Sequence, residues 1–209
     1  MRQSQQALFQ LTKKYPIFGV LHKDTYIEFN TYFFGPLDFP SPFQGQAMEI
    51  RITLTNKFPA SSPSIGVAAD TIWHPNIDFH SGSVCVDQLN STWNSSIDLV
   101  TIIEDILPSL FLSPNPDDPL NIDAAKQFKS SHDQYAIRAK EIIERKALSY
   151  NDIIKNFDPN QKIPEYFENK LKEYHLYPGT EIKKATSQSS FQKKNCTVQL
   201  RTDDDDIGL

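Results

Sequence analysis

Cysteine is scarce in this chain of 209 residues: only Cys85 and Cys196 occur, far apart and without a repeated spacing. Such usage excludes a disulfide framework and a multi-cysteine zinc site, and it fits a reducing compartment. Long apolar runs are also missing. The opening MRQSQQALFQLTKK has no signal-type core, and no later stretch approaches the roughly 18 apolar residues of a membrane span. The chain therefore reads as soluble, cytoplasmic or nuclear, with no membrane partner. In that setting the glycan-acceptor tripeptides at Asn90, Asn94 and Asn195 read as unmodified. An excess of positive charge is lacking too. Twenty-one Lys plus Arg against 26 Asp plus Glu give a net charge of -5, so direct nucleic-acid binding over a broad basic face is not expected. No GxxxxGK[ST] phosphate loop is present, which fits a chain that does not itself consume ATP.

What is present is ordinary globular material, 39% hydrophobic, 11% aromatic and 22% charged, in a length that suits one domain of about 150 residues plus an extension. Ala7, Leu8 and Leu11 recur at helical spacing within residues 5–14, ending before Pro16. Ile27, Phe29, Thr31 and Phe33 alternate with Tyr26, Glu28, Asn30 and Tyr32, and Met48, Ile50, Ile52 and Leu54 repeat the same period. With residues 17–22 and 65–69 they predict an antiparallel meander of about four strands. Leu99, Ile102, Ile103, Ile106, Leu107, Leu110 and Phe111 line one helical face behind Asp98 as N-cap, and Pro108 predicts a kink or an early end.

Further helices are expected over 122–128 and 132–148. The latter has Ser131 as its cap and turns Tyr135, Ala139, Ile142, Ile143 and Ala147 inward. The result is an α+β core domain over 1–150. The remainder, 151–209, reads as an appendage with a short helix near 164–175 and a polar tail carrying Asp203 to Asp206.

Chemistry concentrates in HPNIDFHSGSVCVDQLNSTW, residues 74–93. A loop cysteine is a candidate nucleophile, since sulfur attacks a carbonyl and forms an acyl intermediate that a second nucleophile opens. Standing alone, Cys85 would be read as a small buried hydrophobe. His74, Pro75 and Asn76 before it and Trp93 after it change that reading. The HPN tripeptide, the following cysteine and the later tryptophan, together with PNPDDPLN further on, resemble the ubiquitin-conjugating enzymes, the E2 class, over roughly residues 5–148.

The resemblance implies a UBC fold and a ubiquitin thioester on Cys85, received from an activating enzyme (E1) that alone consumes ATP. It implies transfer to a lysine of a substrate or of ubiquitin, with a ligase (E3) positioning both partners. No metal is implied. Asn76 would support the charge that develops during attack, although an asparagine in this place can equally fix a turn. Asp118 would guide the proton of the incoming lysine, with Asp87 a second acid, while Asp117 faces water or shapes the turn. His74 and Pro75 would hold the loop, and Trp93 would pack behind it.

Ala60, Ser95 and Ser96 stand where many E2 enzymes carry apolar ligase-facing residues, so ordinary RING contacts lose area. FPASSPSIG and LPSLFLSPNPDDPLNIDAA look most like the branch that works with GID/CTLH-type ligases and histones. The competing readings are a noncatalytic ubiquitin-binding E2-variant module, a cysteine protease using His80 or His132, and a zinc site of His74, His80 and Cys85.

Overall fold

Two long alternating strands organise the molecule. The computed structural model describes residues 2–37, 40–85, 93–158, 160 and 162–178. β1 (Phe18–His22), β2 (Tyr26–Phe34), β3 (Ala47–Thr55) and β4 (Ser64–Val67) form one antiparallel sheet in sequential order. Register follows from pattern: Ile27, Phe29, Thr31 and Phe33 lie opposite Leu54, Ile52, Ile50 and Met48, so a single face carries all eight buried side chains. Thr31, polar among them, is satisfied by donating its hydroxyl to the Pro16 carbonyl at 2.7 Å. The expected UBC-type meander is present.

Helices flank the sheet. α1 (Arg2–Leu11) buries Leu8 and Leu11, starting before the stretch expected from the sequence. The long helix α2 opens as α-helix at Leu99–Thr101, widens to a π-helical turn at Ile102–Ile106 and closes as α-helix at Leu107–Leu112. Asp98 caps it by accepting the Thr101 N–H at 2.8 Å. Pro108 lacks a backbone donor, yet the helix does not end there. The Leu107 N–H reaches back five residues to the Ile102 carbonyl, so the extra residue is absorbed one position before the proline. Phe111 then meets Phe33 of the sheet at 5.0 Å.

α3 (Ile122–Ser130) and α4 (His132–Arg145) follow. Tyr135, Ala139, Ile142 and Ile143 are buried as expected. Ala147 is exposed because α4 ends at Arg145, and Ser131 holds the N-cap position without a side-chain capping bond.

The largest difference from the sequence reading lies after Leu148. Residues there pack into the core as α5 (Tyr150–Ile154) and α6 (Glu165–Glu173). Ser149 and Asp152 form a reciprocal capping box that starts α5, a signal present in the sequence. The two helices cover Tyr32 and Phe34 on the outer sheet face. Tyr32 donates to the Ile153 carbonyl at 3.2 Å and accepts from the Asn156 amide at 2.8 Å. Phe167 is fully buried, with ring centroids 5.7 Å from Tyr32, 5.5 Å from Phe34 and 6.0 Å from Tyr15. The acid run Asp203–Asp206 lies outside the described residues.

Replacing Phe167 by Ala should lower the unfolding free energy by about 3–5 kcal/mol, the range for deleting a buried aromatic. Urea unfolding of the full chain measures it. A loss below about 1 kcal/mol would show that α6 rests on the sheet without stabilising it.

Candidate active site

The cysteine is set in place by main-chain bonds of an irregular hairpin beyond β4. Val67 and Gly82 are joined by an N–H to carbonyl bond of 2.8 Å, and Val84 donates to Ile65 at 3.1 Å. Gly82 has φ +72°, and a Cβ there would stand 2.0 Å from the Val67 carbonyl oxygen, so this crossing requires glycine. The arm returns antiparallel to residues 76–78 through the Ile77–Val84 bridge. Cys85 thereby comes to donate its N–H to the Asn76 carbonyl at 2.8 Å. It is half-buried and carries a thiol.

Asn76 is the hub. Its side chain is buried and spans to the loop after α2, donating to the Asn115 carbonyl at 2.8 Å and the Asp118 carbonyl at 3.3 Å, and accepting the Asn115 N–H at 2.7 Å. The turn-fixing role weighed for this residue is therefore real, but it acts across to another loop and not on the residue's own backbone. Pro75 adds to the junction. Its carbonyl accepts the N–H groups of both Leu120 and Asn121 at 2.9 Å. Asn121 caps α3 by accepting the Ala124 N–H at 3.0 Å, while its buried Nδ2 has no partner among the described residues.

His74 is fully buried between Phe43 and Phe111. Its Nδ1 accepts the Asn76 N–H at 3.0 Å, so the proton sits on Nε2 and is donated to the Leu110 carbonyl at 3.2 Å. Burial pushes its pKa down to about 3, and the imidazole is neutral. With both nitrogens engaged, His74 serves the loop as a fastener.

The acids separate. Asp118 is exposed; its carbonyl joins the Asn76 junction while its carboxylate has no partner among the described residues. Asp117 pairs with Lys129 at 2.7 Å, and its N–H is taken by the Asn115 side chain at 3.1 Å, which makes it the turn-shaping member. Asp87 lies outside the described residues. Trp93 packs against Phe58 at 6.0 Å and donates its indole N–H to the Pro59 carbonyl at 2.9 Å. Ala60, Ser95 and Ser96 are all exposed. The two serines, with Pro59 and α1, line a groove of about 270 Å³, which Ala60 does not reach.

The residues missed from sequence are Asn115 and Asn121. Asn121 directly before the helical pattern at Ile122 was a readable N-cap signal; nothing local marks Asn115, since its partner is 39 positions away. The zinc site of His74, His80 and Cys85 does not assemble: among the described residues no group of His, Cys, Asp and Glu is arranged to hold a metal ion, and His80 is exposed with its ring nitrogen 3.1 Å from Asp70.

A sequential four-stranded meander, flanking helices and a cysteine held on a loop beside a long crossing helix together define the UBC fold. A family model described as ubiquitin-conjugating enzyme matches residues 3–143, and the chain belongs to that family. A wheat (Triticum aestivum) ubiquitin-conjugating enzyme E2-23 kDa is 47% identical over 57% of this chain and 64% of its own length. The Saccharomyces cerevisiae ubiquitin-conjugating enzyme E2-24 kDa is 39% identical over 61% of this chain and 57% of its own. The chain thus spans about three fifths of the curated relatives it matches. The E2 domain of a Toxoplasma gondii ubiquitin conjugating enzyme shares the fold, with a TM-score of 0.59 at 23% identity over 70% of this chain and 99% of that one.

The lowered pKa of His74 has a signed consequence. Its unfolded value is near 6.5, so between pH 6.5 and about 3 the unfolded chain binds a proton that the folded one does not, and stability falls as pH falls. Urea midpoints taken from pH 7 to 4 should show a slope of up to about 1.4 kcal/mol per pH unit from this group. A His74→Gln variant should lose that part of the slope; an unchanged slope would assign the acid sensitivity elsewhere.

Proposed function

We propose that this chain is an E2 ubiquitin-conjugating enzyme acting through a thioester on Cys85. The carrying observation is the junction that joins Cys85, Asn76 and the 115–118 loop by hydrogen bonds. In the first step the Cys85 thiol attacks the ubiquitin carbonyl held on the activating enzyme; its new C–S bond forms, the donor C–S bond breaks, and the Cys85 proton passes to the leaving sulfur. In the second, a lysine amine attacks the same carbonyl, the C–N bond forms and Cys85 is released. ATP is consumed only by the activating enzyme, and this chain needs neither metal nor cofactor.

Asn76 donates to the oxyanion in the second step. Both its N–H groups face carbonyls in the resting arrangement, and the 3.3 Å bond to Asp118 is the weaker one to release. The Asp118 carboxylate accepts or guides the lysine proton, with Asp87 as a second acid at the gate. His74, Pro75 and Trp93 hold the loop. Exposed Ala60, Ser95 and Ser96 form a ligase-facing surface poor in apolar area, which suits a partner of the GID/CTLH type better than an ordinary RING ligase. Histones are the proposed substrates, in cytoplasm or nucleus.

Incubation with activating enzyme, ATP and ubiquitin should give an adduct on Cys85 that reducing agent removes. Cys85→Ser should abolish that adduct and Cys196→Ser should spare it; the reverse pattern would overturn the assignment. Asn76→Asp keeps the acceptor for the Asn115 N–H but loses the donors. It should charge normally and discharge onto free lysine about 10²-fold more slowly. Asp118→Ala should also charge and discharge slowly, and a normal discharge rate in either variant removes that residue's role.

A further inference from the structure

A cavity of about 610 Å³ lies away from Cys85 between α4 and the segment after β4. Arg138, Arg145 and Lys146 line it together with two carboxylates, Asp70 and Glu141. Among the described residues none of the three cations forms an ion pair, whereas Asp70 is answered by His80. Three unpaired cations therefore face two carboxylates, Asp70 and Glu141, and the cavity keeps a net positive charge.

The Arg138 guanidinium lies 3.7 Å over the Trp73 ring, a stack that fixes its plane while its N–H groups find no acceptor among the described residues. Arg145 spends only its Nε, on the Glu141 carbonyl at 3.0 Å. Beside them Ile137 is 59% exposed. Such a site suits an extended acidic segment followed by an apolar side chain, because guanidinium groups bind carboxylates through paired N–H donors.

The sequence contains that segment. Asp203 to Asp206 are followed by Ile207, and residues 179–202 separate them from the last described residue, Pro178. At about 3.3 Å per residue this connection reaches roughly 80 Å, far beyond the radius of gyration of about 16 Å expected for a domain of this size. The tether also holds the acidic run near millimolar effective concentration, which favours it over a free anion. We propose that Asp203–Asp206 dock in cis on Arg138, Arg145 and Lys146, with Ile207 against Ile137. The docked segment would meet Arg138, whose guanidinium stacks on Trp73, the residue before His74.

Amide spectra of the full ¹⁵N-labelled chain test this directly. They are compared with the variant carrying Asp203→Asn, Asp204→Asn, Asp205→Asn and Asp206→Asn, at low salt and several protein concentrations. Shift differences should concentrate at residues 137–146 and fade at about 0.5 M salt, where exposed ion pairs are screened. Arg145→Glu with Lys146→Glu should abolish them, and adding Asp203→Lys with Asp204→Lys to that pair should restore them. Absence of shifts at these amides, failure of the charge swap, or a dependence on protein concentration that marks a second copy as the occupant would each overturn the proposal.

Discussion

The active loop depends on the Asn76 side chain more than on any other single contact. One amide group closes three bonds to residues 115 and 118, and its own carbonyl holds the cysteine N–H. The 115–118 loop belongs to no strand, so the junction supplies the partners that a ladder would otherwise have provided. Burial makes this cross-link hard to break in the resting state, since an amide cut off from water loses several bonds at once. The side chain proposed to help a reacting carbonyl is thus also one that keeps the surrounding backbone in order. Substitutions there mix two effects unless the acceptor oxygen is kept.

His74 shows how the same loop uses burial. A charged imidazole in this aromatic pocket would have to donate from both nitrogens, yet one faces an N–H group. The neutral tautomer is the only one that fits, and the ring is confined to holding chain segments together.

Much of this could be read in the residues. The period-two pattern of β2 and β3 carried both the strands and their register, and Asp98 marked the start of α2. The cysteine loop announced itself through closely spaced residue types. Contacts between distant segments were not legible: Asn115 carries no local mark, and Asp118 joins the junction through its carbonyl, an atom every residue owns. Pro108 argued correctly for a disturbance but not for its form, because an inserted π turn costs less than ending a helix whose far half still buries Leu110 and Phe111. The stretch beyond Leu148 looked too polar for a core. Its few aromatics suffice because they meet Tyr15, Tyr32 and Phe34, and of these the alternation had placed Tyr32 on the face away from the core.

That late covering has a bearing on biosynthesis. Tyr174 donates to the carbonyl of Gly35 at 2.8 Å, across 139 positions of sequence. With ribosomes adding about 5–20 residues per second, roughly 7 to 28 seconds pass between emergence of the second strand and arrival of its outer cover. During that interval the nascent sheet presents Tyr26, Tyr32 and Phe34 on a face whose other side chains are mostly polar. The polar neighbours Glu28, Asn30, Glu49 and Arg51 on that face then act as guards against premature association.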